Sequence, residues 1–189
     1  MIPQPAGGAG SDLDPQAADR LLVELRPLVV RTVRLVVGAG SVVADDAAQE
    51  ALLEISRSVA KLNDVAAAAA WAIQIATRVA LRTAKRERRL SLIGLRAAHA
   101  PEGVAANPSP DLLELKDAFD QLPPRLRATA VLRLYVGFSE VETAAALGCS
   151  VGTVKSQLHE ARRRLSKQLR ESPRPPVPRA VTRDCPEGG

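Results

Sequence analysis

Residues 122–169 read LPPRLRATAVLRLYVGFSEVETAAALGCSVGTVKSQLHEARRRLSKQL. Pro123 and Pro124 suit the first turn of a helix, where proline's missing amide hydrogen is not needed, and do not suit a helix interior. Gly137 can end that helix, because glycine adopts the left-handed conformation at little steric cost. The segment therefore predicts a helix that opens at the two prolines and closes at Gly137.

The residues after this glycine predict two more helices separated by a tight turn. Ser139 and Glu142 have the spacing of a capping box, which opens a second helix. Gly148 predicts the end of that helix, and Ser150 predicts the N-cap of a third. The second helix is expected to bury Val141, Ala144, Ala145 and Leu147. A short helix, a turn containing glycine and a following helix are typical of a helix-turn-helix.

Helical periodicity gives the third helix two different faces. One stripe is apolar and is expected to face the core: Val151, Val154, Leu158, Ala161 and Leu165. The opposite side carries Gly152, Ser156, His159 and Arg163, flanked by Lys155, Arg162, Thr153 and Gln157. Hydrogen-bonding side chains near the start and cations further along suit a recognition helix, whose first turns meet base edges while the rest meets phosphates. The alternative is a solvated basic helix packed against another element.

The composition favours a helical protein with a polyanionic partner. Only 2% of the 189 residues are aromatic, so the core is expected to consist of Ala, Val and Leu, and the formal charge is +5. Cys149 and Cys185 form neither a metal spacing nor a disulfide framework. The sequence shows no signal peptide and no apolar run near the roughly 20 residues needed to cross a bilayer. A reduced, cytoplasmic protein without metal or cofactor is therefore expected.

The order of the remaining segments predicts an all-α protein of two small helical domains joined by a flexible linker. Residues 1–12 are rich in Pro, Gly and Ala and are expected to be disordered. Helices are predicted over residues 15–37 and 41–61, and Pro27 is expected to bend or break the first of them. Together with a third helix, they form the predicted domain 13–90.

The third predicted helix begins at a cap on Asn63 or Asp64 and continues to about Leu90. Its first half, VAAAAAWAIQIA, is apolar almost all round and is expected to be buried, whereas its second half turns basic. Helical periodicity then fades over residues 91–110, which are predicted to be a linker. The second domain is expected over residues 111–170, and a Pro-rich disordered tail over residues 171–189.

Two separate segments resemble one family, the extracytoplasmic-function (ECF) group of bacterial sigma factors. Residues 122–169 resemble the family's carboxy-terminal domain, which reads the −35 promoter element, above all through the letters SVGTVKS at 150–156. Residues 44–53, ADDAAQEALL, resemble its polymerase-binding helix. The pair Ala70-Trp71 and the basic run KRERR at 85–89 resemble the helix that reads the −10 element. The resemblance implies a non-enzymatic promoter-specificity factor.

The resemblance also implies three sets of functional residues. The polymerase-binding set is Asp45, Asp46, Gln49, Glu50 and Leu53. The −10 set is Asn63, Asp64, Trp71, Arg78, Arg82, Lys85, Arg86 and Arg89. The −35 set is Arg125, Ser150, Thr153, Lys155, Ser156, His159, Arg162 and Arg163. The implied partners are bacterial RNA polymerase core and promoter DNA, and an anti-sigma factor is a candidate third partner.

Each set also has a simpler interpretation. The acids can be the solvated first turns of a surface helix, Asn63 or Asp64 a helix cap, Trp71 a core residue, and the basic run a solvated face. The whole chain can be a stand-alone helix-turn-helix regulator that binds as a dimer, or a sigma-like protein with a repurposed first domain. An enzyme is not expected, because His99 and His159 are the only histidines and no phosphate-binding glycine loop is present.

Overall fold

The computed structural model describes residues 13–38, 41, 43–62, 64–92 and 117–171. Within these ranges every regular element is a helix, which confirms the all-α prediction. The predicted disordered start, Asn63, the linker from residue 93 onward and the tail after residue 171 lie outside the described residues. Residues 13–92 are called the first module below, and residues 117–171 the second module.

The first module consists of three helices joined by two short 3₁₀ turns. Helix α1 spans Pro15–Val37, α2 spans Ala44–Ser56 and α3 spans Ala68–Leu92, and the turns are Val59–Lys61 and Val65–Ala67. The core between them is built from small and β-branched residues that are completely buried: Val29, Val33, Val36, Ala51, Ile55, Ala72, Ala76, Val79 and Ala80. Alanines on α2 and α3 let the helix backbones approach closely, so the module needs few aromatic residues.

Three details of the first module differ from the sequence prediction. Helix α1 is not broken at Pro27, because buried Leu25 and Val29 on either side anchor it to the core. Helix α2 ends five residues early, where the Ser58 hydroxyl donates to the Glu54 carbonyl at 2.8 Å and turns the chain. Residues 65–67 are exposed, and burial begins only at Ala68, so the first apolar half of the third helix is not wholly buried.

The second module begins with helical residues 117–120 and contains the three predicted helices. Helix α4 spans Pro124–Ala130 and continues as a π-helical turn over Val131–Val136. Helix α5 spans Glu140–Leu147, and α6 spans Val151–Glu171. Gly137 and Gly148 close the preceding helices with φ of 84° and 61°. Both predicted helix ends are confirmed, and so is the left-handed conformation predicted at Gly137.

The predicted capping box opens α5. Glu142 N donates to Ser139 Oγ at 3.2 Å, and Ser139 N donates to Glu142 Oε2 at 2.7 Å. These bonds lower the pKa of the Glu142 carboxyl below its usual value.

The buried face of α5 was predicted only in part. Thr143, Ala144 and Leu147 are buried, whereas Val141 is 68% exposed and Ala145 is also exposed.

The two modules pack against each other. Helices α4 and α5 both contact α3, and α4 also contacts α1. Five buried residues of the second module belong to the same apolar cluster as the core of the first: Ala128, Val131, Leu132, Phe138 and Leu147. Helix α2 packs on α1 and α3 and keeps its outer face exposed.

Candidate nucleic-acid interface

The recognition helix α6 is held by the apolar stripe that its periodicity predicts. Val154 and Ala161 are completely buried, Leu158 and Leu165 are each 7% exposed, and Val151 is half-buried. A polar contact fixes the same side, since Thr129 Oγ1 on α4 lies 2.7 Å from Gln157 Oε1 on α6. The packing of α6 on α4 therefore determines which side chains face outward.

The outward face of α6 carries the predicted base-reading and phosphate-binding side chains. Ser156, His159, Lys155, Arg162 and Arg163 are all exposed, and Thr153 is half-buried. At the start of the helix, Ser150 Oγ accepts from Thr153 N at 3.1 Å and lies 2.9 Å from Thr153 Oγ1. Ser150 and Thr153 therefore use part of their hydrogen-bonding capacity to cap the helix. Ser156 Oγ donates to the Gly152 carbonyl at 3.0 Å, so it faces outward with its oxygen as an acceptor. Ser156 and His159 are the central polar groups of the face.

The cations of α6 differ in whether they form ion pairs with acidic side chains. Glu160 binds Arg163 through two bonds of 2.8 Å and Arg164 at 2.6 Å. These bonds lower the pKa of Glu160 to about 2 and raise that of Arg163. Lys155 lies 3.6 Å from Glu140. Within the described part of the chain Arg162 has no ion pair, so of the three predicted −35 cations on α6 it is the most available to a phosphate.

The predicted polymerase-binding residues form the outer face of α2. Asp45, Asp46, Gln49, Glu50 and Leu53 are all exposed, and Leu53 is 57% exposed despite its apolar side chain. Arg34 binds Asp45 at 2.8 Å, and Arg82 binds Glu50 at 2.6 Å. Among the described residues Asp46 makes no ion pair. An acidic face that also exposes a leucine suits a basic partner that offers an apolar contact as well.

Five of the predicted −10 residues line one side of α3. Arg78, Arg82, Lys85, Arg86 and Arg89 are exposed there. Arg78 lies 3.8 Å from Glu54, so two of the five cations are paired with acids of α2. Arg88 is a cation that the predicted set omitted. It lines a groove between the modules together with Leu81, Arg82, Lys85, Pro123, Pro124 and Arg125.

The remaining two described −10 residues favour the simpler interpretation. Asp64 accepts a hydrogen bond from Ala66 N at 2.9 Å and thereby caps the 3₁₀ turn ahead of α3. Trp71 is half-buried and packs against the core of the first module. In this structure both residues support the fold, and neither is positioned as a free stacking or base-pairing group.

The described residues hold no cluster of three or more His, Cys, Asp or Glu that would bind a metal ion. None of the helices in this part of the chain has the length and apolar character to span a membrane. The candidate surfaces are the acidic face of α2, the basic side of α3 and the outward face of α6.

Comparisons with known proteins agree with this division into two modules. The family model for sigma-70 region 2 matches residues 21–90, and the model for sigma-70, region 4 matches residues 112–165. The ECF RNA polymerase sigma factor SigD of Mycobacterium tuberculosis is 30% identical over 171 residues, covering 82% of this chain and 78% of that protein. EcfG of Rhodopseudomonas palustris is 32% identical over 130 residues, covering 67% and 71%.

The chain belongs to the ECF RNA polymerase sigma factors. The matched segment spans only about a third to a half of other curated relatives: 31% of the RNA polymerase sigma-E factor of Streptomyces antibioticus and 51% of SigE of Mycolicibacterium smegmatis. Among solved structures, the fold is similar to that of the sigma factor RpoE from Bartonella quintana, solved with the anti-sigma factor NepR. The TM-score is 0.65, with 24% identity, over 82% of this chain and 98% of that one.

Proposed function

We propose that this protein gives RNA polymerase core its promoter specificity. In this proposal the acidic face of α2 binds the core enzyme, the basic side of α3 binds DNA at the −10 element, and the outward face of α6 reads the −35 element. The observation that carries the proposal is the orientation of α6. Its apolar stripe is buried, while Ser156 and His159 face solvent between cations.

The proposed role needs no catalytic group, and a protein with this role works in the cytoplasm, where polymerase and promoters are. An anti-sigma factor belongs to the proposal as a further partner, since the similar sigma factor from Bartonella quintana was solved with one. In the domain arrangement we propose, residues 13–90 are the polymerase and −10 domain, residues 91–110 a linker and residues 111–170 the −35 domain, between a disordered start and a disordered tail.

The docking surface is tested with Asp46→Arg combined with Gln49→Arg. Both side chains are exposed and Asp46 has no ion pair among the described residues, so the fold should survive while basic groups of the partner are repelled. We expect loss of core-polymerase binding in a pull-down and loss of promoter-specific transcription. The matched control is Gln16→Arg with Asp19→Arg, which adds the same charge at the same spacing on α1. Equal binding by the two variants would refute docking through α2.

The reading surface is tested with two single variants on α6. His159→Ala should reduce discrimination among −35 sequences and leave the salt dependence of binding unchanged, because a base contact carries sequence information. Arg162→Ala should weaken binding to all sequences about equally and reduce the salt slope by about 0.9, the contribution of one phosphate contact. A stand-alone dimeric regulator is distinguished by tight binding to palindromic sites without polymerase.

A further inference from the structure

We propose that the groove between the two modules binds a nucleoside triphosphate, and that the bound nucleotide competes with −10 DNA for the cations of α3. This groove is called the intermodule groove below. The binding itself is argued from the geometry and charge of the groove. The competition rests on the proposed function, which assigns the cations of α3 to DNA.

The charged side chains that line the intermodule groove are all cations. Arg82, Lys85 and Arg88 come from α3, and Arg125 comes from the second module. All four are exposed, and no acidic side chain of the described residues lines the groove. Cations that share one groove repel each other, and physiological salt screens this repulsion only in part. The groove therefore favours an anionic ligand.

Three of these four cations have no acidic partner in the described part of the chain. Glu50 on α2 binds Arg82 at 2.6 Å, whereas Lys85, Arg88 and Arg125 form no ion pair there. A single phosphate monoester carries about −1.5 to −2 charges at neutral pH, which is less than three cations can balance. A chain of phosphates carries more charge and more acceptor oxygens, so it matches the groove better than one phosphate group does.

A buried anchor holds the two walls of the groove in place. Arg127 lies two residues after Arg125, and its side chain is only 8% exposed. Its Nη1 donates to the Val37 carbonyl at the end of α1 at 2.7 Å, and its Nη2 donates to the carbonyls of Asp120 and Leu122 at 2.7 and 3.0 Å. The segment that carries Arg125 is thereby fixed against the first module. The groove is formed without a ligand, as small-molecule sites usually are.

The size and the apolar lining of the groove indicate an organic anion. Its volume is about 530 Å³, within the range of about 300–1,000 Å³ that is usual for small-molecule sites. Leu81, Pro123 and Pro124 are half-buried and form its apolar wall. The proline rings hold their φ angles fixed, so this wall is rigid. A nucleoside triphosphate combines an apolar ring system for the prolines with a phosphate chain for the cations.

The groove overlaps the predicted −10 residues more than the predicted −35 residues. Arg82 and Lys85 belong to the −10 set and line the groove, as does their neighbour Arg88. Of the −35 set only Arg125 lines it. A bound nucleotide should therefore compete with −10 DNA, while a −35 duplex should lose at most one phosphate contact.

The binding experiment is a calorimetric titration of the full-length protein with GTP and, separately, with inorganic tripolyphosphate. It is carried out at about 0.15 M salt without divalent cations, which would compete for the phosphates. We expect one GTP per chain, with tripolyphosphate binding more weakly because it lacks the nucleoside. Arg88→Gln combined with Arg125→Gln should weaken GTP binding by up to about thirtyfold, since each exposed ion pair contributes up to about fivefold.

Charge reversal provides a stronger test with a matched control. Arg88→Glu combined with Arg125→Glu should abolish binding of GTP and of tripolyphosphate. Arg20→Glu combined with Arg26→Glu makes the same change in net charge on two exposed arginines of α1 that do not line the groove. This control should bind GTP as the unmodified protein does. An equal loss in both variants would mean that only the net charge attracts the nucleotide, which overturns the site.

The competition is measured with single-stranded DNA that carries the −10 element. At a GTP concentration ten times its Kd, competition for one site should raise the apparent Kd for this strand about elevenfold. An unchanged Kd for the strand overturns the competition.

The remaining outcomes separate the site from the proposed function. GTP binding no tighter than tripolyphosphate overturns the assignment to a nucleotide, because the nucleoside then makes no contact. If GTP binds the groove but the protein never stimulates core polymerase, the site stands and the proposed function fails. If the protein directs promoter-specific transcription but does not bind GTP, the proposed function stands and the nucleotide site fails.

Discussion

Glu160→Gln on the recognition helix should strengthen DNA binding, because it releases arginines that the carboxylate now holds. Glu160 binds Arg163 twice and Arg164 once, and with its pKa lowered to about 2 it is ionised throughout the neutral range. At 3.6 residues per turn, Arg163 lies about 20° around the helix from Ser156 and Arg164 about 80°. Arg163 is therefore the arginine expected to gain a phosphate contact.

The size of the effect follows from counterion release. One new contact raises the magnitude of the salt slope by about 0.9 and the affinity at 0.15 M salt about fivefold relative to a 1 M reference. If Arg164 also reaches a phosphate, the upper limits are about 1.8 in slope and about thirtyfold in affinity. The assay is fluorescence anisotropy of a −35 duplex titrated with the full-length protein at several salt concentrations.

The control for this prediction is a mutational cycle. In a background carrying Arg163→Ala and Arg164→Ala, Glu160→Gln should change the slope little, since no arginine remains to be released. Glu24→Gln on the exposed side of α1 removes the same charge far from α6 and should have no effect on the slope. If Glu160→Gln leaves the slope unchanged in the wild-type background, the second half of α6 does not lie along the phosphates.

Three predictions concern the stability of the scaffold and are checked by denaturant unfolding. Ser139→Ala should cost about 1 kcal/mol through loss of the cap. Because the pKa of Glu142 is lowered in the folded state, the contribution of its carboxylate is present above the usual carboxyl pKa and lost as pH falls through the lowered value. The difference between the two proteins should therefore shrink in acid but not vanish, since the bond from Glu142 N to Ser139 Oγ does not depend on that charge. Leu132→Ala should cost about 2–5 kcal/mol and lower the stability of both modules together, since Leu132 is buried in the shared core; separate transitions would contradict that core. Thr129→Val should cost about 1 kcal/mol by removing the hydroxyl that contacts both Gln157 and the Arg125 carbonyl, and an unchanged midpoint would show that the contact with Gln157 does not hold α6.

Local signals made the second module predictable from the sequence. The glycine ends, the capping box and the stripe of α6 each depend on residues within a few positions of one another, and the structure confirms them. The buried face of α5 was harder to predict from the sequence, because the helix has only eight residues. Three of them are consecutive alanines, which fit a buried or an exposed position equally well. Thr143, Ala144 and Leu147 pack against the neighbouring helices, and Val141 is left exposed. The periodicity of α5 alone does not show where those neighbouring helices lie.

Contacts between distant residues were not predictable in this way. Arg82 and Glu50 are separated by 32 positions, and Arg127 and Val37 by 90. An arginine inside a helix is expected to face solvent, so no local pattern indicates that Arg127 lies in the interior. A weak signal was available: its neighbours Ala128, Thr129 and Ala130 are all small, and the structure buries each of them.

The strengths of these long-range contacts differ in a way that fits the proposed function. The exposed pairs Arg82–Glu50 and Arg34–Asp45 should each contribute about 0.2–1 kcal/mol, so polymerase or DNA can replace either partner at little cost. The bond from buried Arg127 to the Val37 carbonyl involves a charge in the interior, where such a bond contributes about 1.5–3 kcal/mol. When the modules separate, water also enters the shared apolar core. Separating the two modules should therefore cost more free energy than freeing the acids of α2 or the arginines that pair with them.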